Sequence, residues 1–226
     1  MDLSNTRKLA LFDLDNTLLA GDSDHAWGEF LISKDLVDAS EHRRKNDDFY
    51  EQYKLGALDI HGYVKFTLAP ILNLSIAERN QLHKEFMQEA ITPLLLESAR
   101  LLVNQHRDAG DFCIIITATN EFITAPVADL FQVDHLLATE LEMKNSHFTG
   151  NISGIPCYQS GKVEKLQHWI DSTNTELRIS ESVFYSDSIN DLPLLQLAGT
   201  PIAVDPDDKL RETAKNANWK IISLRE

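Results

Sequence analysis

Residues 9–18 read Leu-Ala-Leu-Phe-Asp-Leu-Asp-Asn-Thr-Leu, an apolar run that ends in two aspartates two positions apart. The run is short and is followed by a polar break, which predicts a buried strand over residues 9–13. Ligands of open parallel sheets bind beyond the carboxyl ends of the strands, where Asp13 and Asp15 stand. The alternative interpretation is a polar strand end or an Asx-turn without function, since Asp commonly serves turns.

Four later runs have the same character, and each is flanked by a segment with helical spacing. They lie at residues 112–117, 135–139, 183–187 and 201–205. Helices are predicted between them over residues 94–107, 121–131, 163–170, 191–197 and 208–216. Because strands and helices alternate, we predict an α/β fold with a Rossmann-like parallel sheet core and helices on both faces.

Residues 22–90 interrupt this alternation, because they contain almost no strand signal. Amphipathic helices are predicted there over residues 24–32, 47–53, 61–68 and 76–88. A stretch of this length is too long for a loop in a compact domain. We therefore predict an inserted all-helical cap over residues 21–90 and a catalytic core made of residues 1–20 and 91–226. Gly and Pro commonly mark the ends of helices and strands, so Gly21 and the pair Thr92-Pro93 are the expected hinges between the cap and the core.

The composition restricts the partners of the chain. Its 226 residues include 35 acidic and 21 basic ones, a formal charge of −14, which argues against a nucleic-acid partner. No run approaches the length of a membrane helix, and no signal peptide is recognised. The two cysteines do not suggest a disulfide framework, so a cytoplasmic location is expected. A small molecule is the expected partner, and the chain is expected to be a monomer or a homodimer.

A second acidic motif occupies residues 186–191, Ser-Asp-Ser-Ile-Asn-Asp. It follows the predicted strand at 183–187, so Asp187 and Asp191 also stand near a strand end. Acids from two neighbouring strand ends would make a site for Mg²⁺, which takes one or two protein carboxylates together with water and phosphate oxygens. The alternative is that Asn190 caps a helix that begins at Asp191, and both interpretations can hold together.

Two further signals lie between the acidic motifs. Thr117 follows the most apolar strand, and its hydroxyl and the amides after it, beginning with Ala118, are candidates for phosphate binding at a helix N-terminus. The alternative is that Thr119 or Asn120 merely caps the next helix.

Lys162 stands at the start of an amphipathic stretch. A lysine at the N-terminus of a helix is unfavourable with the helix dipole unless an anion lies nearby. The alternative there is a solvated surface lysine.

Taken in order, these motifs resemble those of the haloacid dehalogenase superfamily of phosphatases. They are DxDxT at Asp13 to Thr17, a hydroxyl residue at Thr117, a lysine at Lys162, and DxxxD at Asp187 to Asp191. The long helical insertion resembles the first type of cap in that family. The Ser-Asp-Ser-Ile-Asn-Asp form is most similar to the phosphoserine-phosphatase-like branch.

The resemblance implies a role for each matched residue. Asp13 would be the nucleophile and form an aspartyl-phosphate, a known covalent strategy. Asp15 would act as general acid and base. Mg²⁺ would be held by Asp13, Asp187 and the backbone carbonyl of Asp15, with Asp191 bound directly or through water. The phosphoryl oxygens would be held by Thr117, Ala118 and Lys162.

The start of the predicted cap contains candidates for recognition of the leaving group. Asp22 matches the spacing of an acid that contacts the substrate ammonium in the phosphoserine-phosphatase-like branch, and Asp24 and His25 follow it. Two carboxylates beside a histidine suggest a cationic leaving group, such as that of phosphoserine or histidinol phosphate. The alternative is that Asp22 or Ser23 only caps a helix. The basic pair Arg43-Arg44 is expected on a solvated face.

Three competing functions remain open. A receiver module also uses a phosphorylated aspartate, Mg²⁺, a hydroxyl residue and a lysine, but it needs neither Asp15 nor a substrate lid. A phosphotransferase on the same fold would pass the group to an alcohol instead of water. A binding protein with a degenerate site is disfavoured because all four motifs are intact.

Overall fold

A computed structural model describes residues 7–173 and 175–225 of the chain. The strands are β1 (Leu9–Phe12), β2 (Phe112–Asn120), β3 (His135–Thr139), β4 (Leu141–Lys144), β5 (His147–Ile152), β6 (Val183–Ser186), β7 (Thr200–Val204) and β8 (Lys220–Ile222). Six of them form one parallel sheet in the order β3-β2-β1-β6-β7-β8, and β4 and β5 form a separate antiparallel hairpin.

Helices cover the sheet and fill the long segment between β1 and β2. They are α1 (Ser23–Ser33), α2 (Ala39–Lys54), α3 (Ile60–Leu68), α4 (Ile76–Phe86), α5 (Glu97–Asp108), α6 (Glu121–Phe131), α7 (Ser160–Thr173), α8 (Leu192–Leu195) and α9 (Asp208–Asn216). None of the helices that the structure describes is long and apolar enough to cross a membrane.

Both faces of the sheet are buried, as a parallel sheet requires. Successive side chains of a strand point to opposite faces. Accordingly, Phe12 packs in one apolar cluster with Ile115 and Tyr185, while Leu11 packs in a second cluster with Ile114. The predicted α/β fold with a parallel sheet and helices on both faces is confirmed.

The helical segment meets the core through two adjacent connections. Leu19 and Leu95 form an isolated antiparallel bridge, and the amide of Ala20 donates to the carbonyl of Leu94 at 2.8 Å. Helices α1 to α4 lie between these connections, as the sequence predicted for this region. That residues 21–90 act as a cap separate from the core stays a prediction.

The hairpin β4–β5 was not predicted from the sequence. Its turn residues Asn145 and Ser146 both have positive φ, the conformation of a tight hairpin turn. Phe148 of β5 packs against Phe122, with ring centroids 5.5 Å apart, and lies under the guanidinium of Arg79 from α4. The hairpin therefore contacts both α6, a helix of the core, and α4, a helix of the inserted segment.

Candidate active site

The ends of β1 and β6 bring the two acidic motifs together. The strands pair in parallel, and the amide of Asp13 donates to the carbonyl of Tyr185 at 2.9 Å. The hydroxyl of Thr17 donates to Oδ1 of Asp187 at 3.0 Å and accepts from the Asp187 amide at 3.0 Å. Asp13 and Asp187 therefore lie at neighbouring strand ends on one edge of the sheet.

Lys162 reaches the same point from the first turn of α7. Its Nζ lies 2.9 Å from Oδ1 of Asp13 and 2.7 Å from Oδ1 of Asp191, and all three side chains are buried. A lysine at a helix start opposes the helix dipole, and these two carboxylates offset that cost. Lys162 thus links the first and last motifs, and it is not a solvated surface residue.

The cluster carries more negative than positive charge. Burial raises the pKa of Asp13 to about 7, although Lys162 acts in the opposite direction. Burial and the nearby charges of Asp13 and Asp191 raise the pKa of Asp187 well above its ordinary value. Burial lowers the pKa of Lys162, but the two carboxylates outweigh this effect and the net pKa is raised. A further cation would therefore stabilise the ionised acids.

The chemistry of these donors fits Mg²⁺. In residues 7–173 and 175–225, no three acidic, histidine or cysteine side chains are already grouped as a ligand set. Mg²⁺ needs only one or two carboxylates, because water and phosphate oxygens complete its shell. Asp13 and Asp187 meet that need. The oxygens of Asp191 already accept from Lys162 and from the hydroxyl of Ser186 at 2.7 Å, so direct ligation by Asp191 competes with these bonds.

Asp15 is held by hydrogen bonds from two different elements. Its Oδ1 accepts from the amide of Ser23 at 2.6 Å, and its Oδ2 accepts from the hydroxyl of Thr119 at 2.8 Å. Burial and the nearby charge of Asp22 raise the pKa of Asp15 to about 6. A carboxyl group with such a pKa can exchange a proton near neutral pH, as a general acid and base must.

Thr117 and Ala118 lie where the sequence predicted a phosphate site. Both line the cavity above Asp13 and Asp15, and the hydroxyl of Thr117 accepts from the amide of Thr119 at 3.2 Å. Asn120 caps α6, because its side chain accepts from the amide of Ile123. Thr119 was considered only as a helix cap, and its contact with Asp15 was not predicted.

The cavity lies between the strand ends and helices α1, α2 and α3. Its aromatic lining was not predicted, because amphipathic spacing does not distinguish a ring that faces a cavity from one in a core. Burial raises the pKa of both Tyr53 and Tyr63, and the charge of Asp187 adds to this effect at Tyr53 and that of Asp24 at Tyr63. The lining residues are Asp13, Asp15, Asp22, Asp24, His25, Asn46, Phe49, Tyr50, Tyr53, Leu58, Ile60, Tyr63, Thr117, Ala118 and Thr119.

The three candidates from the start of the inserted segment all line this cavity, in different ways. Asp22 caps α1, because its Oδ1 accepts from the amide of His25 at 2.9 Å. Asp24 is buried, whereas Asp22 and His25 are half-buried. The ring of His25 lies near that of Tyr50, with centroids 6.2 Å apart.

The end of α2 touches the loops that carry the last two motifs. The hydroxyl of Tyr53 donates to Ser188 at 3.2 Å, and the side-chain amide of Asn190 donates to the carbonyl of Tyr53 at 2.8 Å. Gln159, three residues before Lys162, donates to the carbonyl of Gly56 at 3.0 Å. Through these contacts the inserted helices close over the carboxylate cluster.

Comparisons with known proteins agree with this geometry. Residues 10–196 match the model of the haloacid dehalogenase-like hydrolases. A histidinol-phosphatase from Neisseria meningitidis is 43% identical over 221 residues, 97% of this chain and 100% of that protein. A phosphoserine phosphatase from Mycobacterium tuberculosis is 31% identical over 222 residues, 96% of this chain and 70% of that protein.

Solved structures extend the comparison to the fold. A Bordetella pertussis protein of unknown function superposes with a TM-score of 0.89 at 43% identity, over 97% of this chain and 99% of that one. A substrate-bound phosphoserine phosphatase superposes with a TM-score of 0.69 at 17% identity, over 96% of this chain and 93% of that one, which supports the fold alone. The predicted superfamily and branch are confirmed, and the chain belongs to the haloacid dehalogenase-like hydrolases.

Proposed function

We propose that this phosphatase is a Mg²⁺-dependent phosphomonoesterase that transfers the phosphoryl group of a small phosphorylated amine to Asp13 and then to water. The observation that carries the proposal is the position of Asp13. Its carboxylate is buried at the cavity floor, 2.9 Å from Nζ of Lys162, and Asp15 lines the same cavity. The buried free thiols of Cys113 and Cys157 are consistent with a cytoplasmic setting.

In the first step, an oxygen of Asp13 attacks phosphorus and the bond from phosphorus to the ester oxygen breaks. Asp15 gives its proton to the departing alkoxide, and its raised pKa makes the proton available. Asp13, Asp187 and the carbonyl of Asp15 would hold Mg²⁺, which would supply positive charge and so reduce the repulsion between the carboxylate and the phosphate. Lys162, with Thr117 and the amide of Ala118, holds the phosphoryl oxygens during the transfer.

In the second step, water attacks phosphorus and the bond to Asp13 breaks. Asp15, now ionised, accepts a proton from the water, and inorganic phosphate leaves. This use of Asp15 separates the proposal from a receiver module, which preserves its acyl phosphate. The hydrogen bonds from Ser23 and Thr119 keep the carboxyl of Asp15 oriented for both steps.

The substrate class rests on the cavity lining and on relatives. Asp22 and Asp24 add negative charge beside the position of the leaving group, which favours a cation there. Similar proteins include a histidinol-phosphatase and a phosphoserine phosphatase, and the substrates in both names carry an amine. We therefore propose an amino-acid or amino-alcohol phosphate as the substrate.

The substitution Asp13→Asn tests the proposal. We expect phosphate release from histidinol phosphate and O-phosphoserine to fall at least about a thousandfold, because an amide is a poor nucleophile. Asp108→Asn, an exposed change at the end of α5, is the matched control and should retain activity. EDTA should abolish phosphate release by the wild type, and added Mg²⁺ should restore it. Wild-type rates in the Asp13→Asn protein, with circular dichroism showing a native fold, would refute the nucleophile.

A further inference from the structure

Asp24 is a buried carboxylate that forms no ion pair with the lysines, arginines and histidines among the described residues. Its side chain lies in the second position of α1, lines the cavity and is 8% exposed. Its Oδ1 is buried and makes no hydrogen bond within the part of the chain that the structure describes. A buried ionised carboxylate is costly unless a cation or hydrogen-bond donor reaches it. The open position for such a partner is the cavity.

Asp22, the acid with the matching sequence spacing, is engaged differently. Its Oδ1 accepts from the amide of His25 and caps α1, which is a local structural role. Burial raises the pKa of both acids, but hydrogen bonds from the amides of His25 and Asp24 act against this at Asp22. At Asp24 the neighbouring charges of Asp22 and Asp15 add to the effect of burial. Of these two acids, Asp24 is therefore the one with a buried oxygen that no donor among the described residues reaches.

Asp24 also lies close to the bond that breaks. The hydroxyl of Thr119 donates to Oδ2 of Asp15 at 2.8 Å, and Thr119, Asp15 and Asp24 line the same cavity. The amide of Ser23, the residue before Asp24, donates to Oδ1 of Asp15 at 2.6 Å, which holds the first turn of α1 beside Asp15. A cation bound by Asp24 would therefore share this cavity with the ester oxygen that receives the proton of Asp15.

The rest of the lining suits an amine and disfavours a carboxylate. Tyr63 and Phe49 line the same cavity as Asp24 and contribute two aromatic rings to its wall. Aromatic faces attract cations. Among the described lining residues there is no lysine or arginine. Arg43 and Arg44 face solvent, where they pair with surface acids.

We propose that Asp24 binds the protonated amine of the substrate, and that the cavity selects amino-alcohol phosphates over amino-acid phosphates. This inference rests on the proposed phosphatase function. It assigns the role to Asp24 and leaves Asp22 as a helix cap. A carboxylate on the substrate would meet Asp15, Asp22 and Asp24 without a balancing cation, so its presence weakens binding.

A matched series of three phosphates tests the proposal with the full chain and Mg²⁺. Ethyl phosphate lacks an amine, 2-aminoethyl phosphate adds one, and O-phosphoserine adds a carboxylate to that amine. The readout is the ratio of kcat/KM values, and a compound that is not turned over is ranked by its inhibition constant against histidinol phosphate. We expect the wild type to prefer 2-aminoethyl phosphate to each of the other two by about tenfold or more.

Asp24→Asn should lower the preference for 2-aminoethyl phosphate over ethyl phosphate by about ten- to a hundredfold, the effect of losing a charged hydrogen bond. Asp38→Asn, at an exposed acid that caps α2 and does not line the cavity, is the matched control and should keep that preference within about threefold, since Asn also caps helices. Asp22→Asn should lower the preference less than Asp24→Asn does. A selective loss in Asp22→Asn, or equal losses on both compounds in Asp24→Asn, would overturn the assignment.

The wild-type ratios test the proposal even if Asp24→Asn fails to fold. Hydrolysis by the wild type without an amine preference contradicts the role of Asp24 and leaves the phosphatase function standing. Equal use of O-phosphoserine and 2-aminoethyl phosphate contradicts the selection against a carboxylate. Absence of phosphate release from every compound, histidinol phosphate included, contradicts the proposed function itself.

Discussion

Asp24 illustrates how a functional side chain can reduce stability. Burial and the neighbouring acids Asp22 and Asp15 raise its pKa well above the ordinary value of 3.8, so its ionisation opposes folding at neutral pH. Asp24→Asn keeps the shape and removes the charge. We expect the variant to be more stable by about 1 kcal/mol at pH 7.5, a rise in Tm of about 2–4 °C for a chain of this size.

The pH dependence of that gain has a definite sign. When the pKa of a carboxyl group is higher in the folded protein than in the unfolded chain, the free energy of unfolding falls as the pH rises above the pKa of the unfolded chain. Below about pH 4 the group is protonated in both states, so the difference between wild type and Asp24→Asn should vanish there. Thermal melts at a series of pH values give the measurement, with Asp108→Asn as the control. A gain that was largest at low pH would contradict this explanation.

The individual residues differ in how far the sequence could identify them. Asp13 and Lys162 could be identified because their motifs occur in a fixed order along the chain. The hydrogen bond from Thr119 to Asp15 spans 104 positions, and the distinction between Asp22 and Asp24 depends on which oxygen is already bonded. Sequence spacing carries neither kind of information, so it favoured Asp22.

At the scale of elements, helix α7 positions Lys162 through a close backbone approach. A Cβ at Gly161 would lie 2.1 Å from the carbonyl oxygen of Pro156, which is backbone and cannot rotate away. Gly161→Ala should therefore push the start of α7 outward and displace Lys162 from Asp13. We expect kcat/KM to fall about a hundredfold, as for a misplacement of about 1 Å, and stability to fall by about 1–3 kcal/mol.

Glu164→Ala provides the control on the same helix, since Glu164 is exposed and lies one turn from the substitution. It should change stability by less than about 0.5 kcal/mol and leave turnover intact. Steady-state kinetics and thermal melts of the two variants give the comparison. Full activity in Gly161→Ala would show that the approach to Pro156 does not position Lys162.

The elements that the sequence missed have identifiable physical reasons. Helix α2 begins at Ala39, well before the predicted residues 47–53, because Asp38 caps a largely polar first half held by pairs such as Lys45 with Glu41. Apolar spacing does not detect such a helix. Strand β8 has only three residues, and its place at the sheet edge depends on pairing with β7. Strong apolar runs such as β2 were predictable from composition alone.

At the scale of the whole molecule, the formal charge of −14 and the acidic cluster lead us to expect that divalent cations stabilise the fold. Burial raises the pKa of Asp13 to about 7 and that of Asp15 to about 6. Both groups therefore lower stability as pH rises from about 4 toward 7, in the absence of metal. A cation that binds the folded state alone reverses this loss.

We therefore expect Mg²⁺ to raise Tm by about 5–10 °C at pH 8 when its concentration is a hundred times its Kd. The increment should shrink at pH 5.5, because protons compete for Asp13. Thermal melts with and without Mg²⁺ give the measurement, and Asp187→Asn should remove most of the increment. An equal increment in Asp187→Asn would indicate a different site.

The central claim is that Asp13 carries the phosphoryl group during turnover. Mixing the enzyme with excess substrate, quenching in acid within milliseconds and reducing with borohydride converts an aspartyl-phosphate to homoserine, which peptide mass spectrometry locates. We predict homoserine at position 13 in the wild type with Mg²⁺, and none in the Asp13→Asn protein or in EDTA. Homoserine at another aspartate, or full turnover without any at position 13, would contradict the account.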